Sequence, residues 1–400
     1  VSTYGIAGNT GKEVRSDCLV TIELTDKGGL DIILKSKVQT LYGEDILATA
    51  REVLNYFEVQ NAAVVIEDAG ALSFVLAARI EAALKNLITT DKQYLPAMLP
   101  ANEYTTPRDR MRRSRLYLPG DTPKLTINAG IHQPDGIILD LEDSVAPLKK
   151  DDARILVRNT LRAIDFYGAE RMVRINQGER GLADLEMLIP HNVNLVLVPK
   201  VETPEQIIAV DEKIAALLPN KSKHVWLMPI IESAMGVLNA YAIAKATPNV
   251  VALAIGLEDY TADLGAQRTA EGRESFYARS VLVNAARAAG VQAIDSVFSD
   301  IDDMDALAAV VDESRSMGYD GMGCIHPRQI EVIHKHYAPT EAQLEKAKRI
   351  VLAFHDAEAR GLGVVALGSK MIDPPVVKRA QKMIELAISA GMLCKDWREQ

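Results

Sequence analysis

The chain has 400 residues, 48% hydrophobic and 25% charged, and its 45 basic against 54 acidic side chains give a formal charge of −9. With no basic run, that balance argues against nucleic acid or anionic lipid as a partner, and no apolar stretch approaches the roughly 20 residues that span a bilayer. Cys18, Cys324 and Cys394 are odd in number and far apart, which argues against a disulfide framework or a zinc site. Val1-Ser2-Thr3-Tyr4-Gly5 lacks the basic start and apolar core of a secretion signal, so a reducing, cytoplasmic location is expected.

Residues 1–87 read as a small α+β unit. Leu19–Leu24 and Leu30–Lys35 look like paired strands joined by a turn at Asp26-Lys27-Gly28-Gly29. Tyr42 to Phe57 places Ile46, Leu47, Ala50, Val53 and Leu54 at helical spacing. A third strand is expected at Ala62–Glu67 and a second amphipathic helix at Leu72–Leu87. Residues 88–110 lose periodicity and hold Pro96, Pro100 and Pro107, which predicts a semi-stiff linker.

From residue 111 eight short apolar runs follow, most of them stopping at a polar residue: 115–120, 136–143, 172–176, 195–200, 225–232, 251–259, 293–298 and 321–327. Runs that are apolar throughout suit parallel strands covered on both faces, and helix-like stretches separate nearly all of them. The simplest closure is a TIM (β/α)8 barrel, whose active site lies at the carboxyl ends of the strands. Glu142, Arg174, Lys200, Glu232, Asp259 and His326 would gather there, which points to an enzyme. Beyond the barrel, a helix over Thr340–Arg360 leads to a Gly361-Leu362-Gly363 joint, and a last helix runs from about Val376 to Gly391.

Glu232 and Asp259 close consecutive runs, within reach of one small cation; two carboxylates completed by water and substrate form an open magnesium site. The competing reading is that both cap loops or bind lysines. Arg174 inside an apolar run needs a partner, and its planar fork suits a substrate carboxylate. An ion pair with Asp140 or Glu142 is compatible with that role, and Glu142 is expected to orient Arg174 or a metal-bound water. Met235 and Gly236 should open a helix whose free N–H groups suit a carboxylate, the alternative being a plain strand-to-helix turn. Arg113, Lys124, Lys149 and Lys150 are placed to meet nucleotide phosphates or to stay solvated. Lys200 raises a Schiff-base rival, against a pair with Glu202; His326 is either a base or a packed hydrogen-bonder.

Six motifs carry a resemblance: Arg113 to Gly120, Leu139 to Asp143, Val173 to Asn176, Pro199 to Glu202, Ile231 to Gly236 and Ile325 to Ile330. In this order they resemble the citrate lyase beta subunit and the related malyl- and citramalyl-CoA lyases, over residues 111–400. The resemblance implies a Mg2+-dependent carbon–carbon lyase with Glu232 and Asp259 as ligands and Arg174 on substrate. It also implies a carboxyl-terminal lid, about 361–400, that closes a neighbouring subunit's site in a homo-oligomer. Asp373 matches the lid aspartate of proton transfer.

Gly5 to Gly8, Ser16 to Ile22 and Glu67 to Leu72 make the first domain similar to the citrate lyase gamma subunit, the acyl carrier protein. That family attaches phosphoribosyl-dephospho-coenzyme A to a serine just before a second Ser-Asp. Here the stretch is Val14-Arg15-Ser16-Asp17, so either Ser16 has taken over attachment or the domain is an unmodified scaffold. A citrate lyase alpha (transferase) subunit is the partner this resemblance implies. The expected reaction cleaves a citryl-type 3-hydroxy-3-carboxyacyl thioester to a 2-oxo acid and an acetyl thioester. The runner-up is a malyl- or citramalyl-CoA lyase acting on a free CoA thioester, and a rival from another class is a non-catalytic scaffold.

Overall fold

The computed structural model describes residues 4–218, 224–359, 365–367 and 370–398. The first unit runs β1 (Gly5–Gly8), β2 (Cys18–Leu24), β3 (Leu30–Ser36), α1 (Gln39–Tyr56), β4 (Ala62–Asp68) and α2 (Ser73–Lys85). Its sheet order is β1-β2-β4-β3, with β2 antiparallel and β3 parallel to β4. The expected β2–β3 hairpin is therefore a correction: Gly28 and Gly29, at φ 108° and 75°, carry a wider return, and β4 lies between the two strands. The reason is burial. In β4 Ala62, Val64 and Ile66 are all buried, whereas no residue of β3 is, so β4 takes the middle and β3 the edge.

α2 is buried from Phe74 through Leu84, on all sides rather than one. Two buried charges on it, Arg79 and Glu81, join the two units from different sides of the helix. Arg79 is held bidentately by Asp17 at 2.9 Å and donates to the Asp121 carbonyl across the junction. Glu81 accepts both Nη atoms of Arg158 at 2.9 and 2.7 Å. Breaking a buried pair of this kind costs about 3–5 kcal/mol, so the first unit is clamped to the barrel. The segment 88–110 is a strap rather than a spacer. Leu99 N–H donates to Arg162 O, Tyr104 OH to Ala169 O, and Thr106 OH to Glu170, while Arg112 grips the same Glu170. Its prolines break periodicity, but barrel side chains take several of its carbonyls: Arg162 Nε donates to Pro96 O, Arg171 Nη2 to Tyr104 O and Trp226 Nε1 to Thr106 O.

The barrel strands are β5 (Ser114–Pro119), β6 (Gly136–Asp140), β7 (Glu170–Arg174) and β8 (Leu195–Val198), then β9 (Trp226–Ile231), β10 (Ala252–Ile255), β11 (Gln292–Asp295) and β12 (Gly321–Cys324). Between the first four lie α3 (Pro123–Thr126), α4 (Lys150–Ala163) and α5 (Gly178–Leu188). Then come α6 (Pro204–Leu217), α7 (Ala234–Ala244), α8 (Leu257–Leu264), α9 (Arg273–Ala289), α10 (Met304–Met317) and α11 (Arg328–Tyr337). All eight strands are parallel and β12 pairs with β5, closing the barrel expected from the apolar runs. Strand residues divide by alternation. Ile138, Met172, Leu195, Leu197, Met228, Ile230, Ala252, Ala254 and Ile294 fill the interior, and the alternate positions face the helices.

α12 (Glu341–Ala359), β13 (Val365–Leu367), β14 (Lys370–Ile372) and α13 (Pro374–Ser389) follow. Leu344, Ile350, Phe354, Ile372, Val377 and Ile384 form an apolar cluster of their own, separate from the barrel core. On α13, Lys382 lies 3.6 Å from Asp320, just before β12 and hence at the amino end of the barrel strands. The glycine joint at 361–363 lies outside the described residues. No described helix is long and apolar enough to cross a membrane.

Candidate active site

Register builds the site. Asp140 and Arg174 are the last residues of neighbouring strands and are Cα partners in the β6–β7 ladder. Arg174 Nε and Nη2 therefore grip the two Asp140 oxygens at 2.6 and 2.7 Å. The remaining nitrogen, Nη1, lies 3.0 Å from Glu142 Oε2 without a well-directed hydrogen bond. The guanidinium also stands 5.4 Å above the Tyr117 ring. Burial alone would raise the Asp140 pKa, but the hydrogen bonds and charge of Arg174 outweigh it and hold Asp140 below the usual range. Glu142, fixed by its own N–H on Asp140 and by Gln177 at 2.8 Å, is pushed up by burial despite Arg174.

Glu232 follows β9 directly. Its Oε2 accepts the Lys200 N–H at 2.9 Å, and Oε1 rests over Gly256, where a Cβ would come within 2.4 Å. Asp259 is not a strand end: β10 stops at Ile255 and Asp259 stands in the first turn of α8, still lining the same cavity. Lys200, at φ 50°, directs its ammonium among Glu142, Asp143 and Asp259 at 3.5, 3.7 and 3.5 Å. Burial would lower its pKa, but these carboxylates outweigh that and raise it. A protonated ammonium is the wrong state for a Schiff-base nucleophile.

The cavity, of about 780 Å³, opens at the carboxyl ends of the strands. Among the predicted residues, Lys124, Asp140, Arg174, Glu232, Asp259 and His326 line it. Arg113 does not. It precedes β5 at the opposite end of the barrel, where Asp135 takes its Nε and Nη2 at 2.9 Å. Met235 and Gly236 also stand outside the lining, and the Gly236 N–H is taken by the Ser233 cap at 3.1 Å. Asp373 caps α13, accepting the Val376 N–H at 3.2 Å, and does not line its own chain's cavity. Ser16 sits half-buried at φ 57° beside the Asp17–Arg79 clamp. Arg115 and Tyr117, unremarked in the sequence, also line the cavity, as β5 positions two apart that face the barrel interior. Their signal was alternation within Arg115-Leu116-Tyr117-Leu118.

The carboxylates fit a cation. Burial first, then Asp259 and Glu142, push Glu232 up to about 8. Among the described residues no group of three or more His, Cys, Asp or Glu side chains makes a complete cage. Two carboxylates completed by water and substrate therefore remain the arrangement available. Glu232 binds a proton in the folded protein that the unfolded chain has lost by about pH 5. Its contribution to stability is thus full at low pH and is lost as pH rises through about 8. In chelator, Tm should fall from about pH 6 to about pH 9, and Glu232→Gln should flatten that fall. A divalent cation added at neutral pH should displace close to one proton in calorimetry run in two buffers. Cation binding without proton release would contradict the assignment.

A closed parallel barrel whose mouth gathers buried carboxylates around an arginine fork has the layout of an enzyme. Residues 113–327 match HpcH/HpaI aldolase/citrate lyase, and residues 6–87 match the malonate decarboxylase delta subunit, ACP. The chain belongs to the HpcH/HpaI aldolase/citrate lyase family and is a carbon–carbon lyase with an acyl-carrier-like first domain. It is 36% identical over 288 residues to citrate lyase subunit beta of Leuconostoc mesenteroides subsp. cremoris, covering 70% of this chain and 94% of that one. It is also 36% identical over 292 residues to the mitochondrial citramalyl-CoA lyase of Mus musculus, covering 70% and 86%. Among solved structures, CitE of Mycobacterium tuberculosis with magnesium, acetoacetate and coenzyme A matches at TM-score 0.59 and 32% identity, over 71% of this chain and 99% of that one. The citrate lyase beta subunit of M. tuberculosis with oxaloacetate and magnesium matches at TM-score 0.50 and 33% identity, over 58% and 99%.

Proposed function

We propose that the protein is a magnesium-dependent lyase that cleaves a citryl-type 3-hydroxy-3-carboxyacyl thioester to oxaloacetate and an acetyl thioester. The observation that carries this is the convergence of Glu232 and Asp259 with the Asp140-braced Arg174 fork in one cavity. Neighbours that hold magnesium with oxaloacetate, or magnesium with coenzyme A, support it. Magnesium between Glu232 and Asp259 would supply Lewis-acid charge to the substrate's hydroxyl and carboxylate oxygens. Arg174, locked by Asp140 through Nε and Nη2 and with Nη1 beside Glu142 and Asp143, lines the cavity and holds the carboxylate of the departing 2-oxo acid. Glu142 and Lys200 keep that fork and the carboxylate pair in place. Once the hydroxyl proton has passed to solvent, the alkoxide oxygen becomes the ketone as the carbon–carbon bond breaks in the retro-Claisen sense, its electron pair leaving on the thioester α-carbon, which must then receive a proton.

That acid is Asp373 of a second copy. Within its own chain Asp373 does not line the cavity, and α13 contacts the barrel at Asp320, at the amino end of the strands. Mixing inactive Asp373→Asn protein with inactive Glu232→Ala protein, under verified subunit exchange, should restore part of the activity. No recovery despite exchange would remove the shared site.

The thioester carrier separates two versions of the reaction. An arm on Ser16 would make the substrate carrier-bound, and the likeness of residues 6–87 to ACP supports that. A specific observation favours a free CoA thioester instead. Asp17, next to Ser16, is buried in the Arg79 clamp, so the first domain is fixed to the barrel rather than free to swing. The intact mass of protein from its native host decides between them.

A further inference from the structure

Six arginines are buried among the described residues: Arg79, Arg112, Arg115, Arg158, Arg171 and Arg279. Arg79, Arg112, Arg158 and Arg279 each hold a carboxylate, and Arg171 donates to the carbonyls of Asn192 and Tyr104. Arg115 has neither. Its side-chain contact is Nη1 on Met228 Sδ at 3.1 Å, its buried Nε has no hydrogen-bond partner, and the residue is 1% exposed. It nonetheless lines the substrate cavity, below Tyr117 on the same face of β5. An arginine side chain stays protonated even where burial lowers its pKa, as it does here. A desolvated cation with no counter-charge is costly, so it marks a place where an anion arrives with the ligand.

We infer that Arg115 is a specificity residue that binds the second carboxylate of the 2-oxo acid half of the substrate, the one remote from the Glu232–Asp259 pair. The inference rests on the lyase reading above and deepens it. The carboxylate beside the ketone is accounted for by Arg174 and the cation. A dicarboxylate such as oxaloacetate carries one more, whereas pyruvate has a hydrogen in that position and offers Arg115 nothing. The floor of the cavity therefore selects a citryl-type over a citramalyl-type substrate by charge, with Ile230 and Ala254 forming uncharged wall.

Binding is the test. With magnesium present, calorimetry compares oxaloacetate, its 4-methyl ester and pyruvate on the wild-type protein and on Arg115→Met, which keeps volume and loses charge. Wild type should prefer oxaloacetate over the ester by roughly ten- to hundredfold, the usual worth of a hydrogen bond to a charged group. Arg115→Met should erase that preference and leave pyruvate within about threefold. Arg115→Lys should restore part of it. Equal loss for oxaloacetate and pyruvate, or no loss for either, overturns the assignment. If Arg115→Met does not fold, absence of discrimination between oxaloacetate and its ester by the wild type overturns it instead. Pyruvate and oxaloacetate both failing to bind wild type would be a different result, removing the lyase reading as well.

Discussion

Replacing either Glu232 or Asp259 with Ala should lower turnover by roughly a thousandfold or more, because each removal takes a ligand from a two-carboxylate cation site. The two variants should differ in stability. Glu232 is buried at 6% exposure and pushed up to about 8, so removing it relieves an unfavourable burial at neutral pH. Gly256 is shaped around its carboxylate, however, and would leave a small void. Asp259 is far more exposed on α8, and its loss frees Lys200 to lean on Glu142 and Asp143. Both proteins should therefore keep the far-UV spectrum and cooperative melt of wild type. Steady-state kinetics with a cation titration checks this. Turnover near the wild-type level in either variant would remove that residue from the site.

Arg174→Lys has the second largest expected effect, about a hundredfold or more on kcat/KM. The structure shows why conserving charge is not enough. Arg174 uses two nitrogens on Asp140 and keeps a third near Glu142, in one plane above Tyr117. A lysine ammonium can follow one of those directions at a time. Arg174→Met should do worse and also destabilise the fold by about 3–5 kcal/mol, since Asp140 at 1% exposure would lose its charge partner. The measurements are kinetics and chemical denaturation on the same preparations. A lysine variant with wild-type kinetics would mean that the fork serves Asp140 alone.

The barrel was legible because parallel strands buried on both faces leave unbroken apolar runs, and each of the eight runs became a strand in order. Arg174 and Glu232, singled out because apolar character stops there, both line the cavity. What failed depended on which end of a run a residue occupies. Arg113 flanks the amino end of β5 and its partner Asp135 precedes β6, so it belongs to the base of the barrel. Asp259 reached the cavity from a helix turn, since β10 is only four residues long.

Arg115 was hidden because a cation within a strand run reads as noise until the alternation of β5 shows it facing inward. The strap over 88–110 and the clamp through α2 were illegible for another reason. Their partners lie far along the chain, as Arg79 with Asp17 and Arg158 with Glu81 do, and sequence spacing carries no record of them. Asp373 was named by resemblance alone, and its place as the cap of α13 gives it a structural use besides the proposed one.

Cation-dependent cleavage of a citryl thioester is measured most directly by incubating the purified protein with citryl-CoA and following oxaloacetate and acetyl-CoA together, with magnesium and then with excess chelator. The two products should appear in equal amounts with magnesium and not at all after chelation, with Glu232→Ala protein inactive in both conditions. Undiminished product in chelator, or no oxaloacetate from a folded, magnesium-loaded protein, would contradict it.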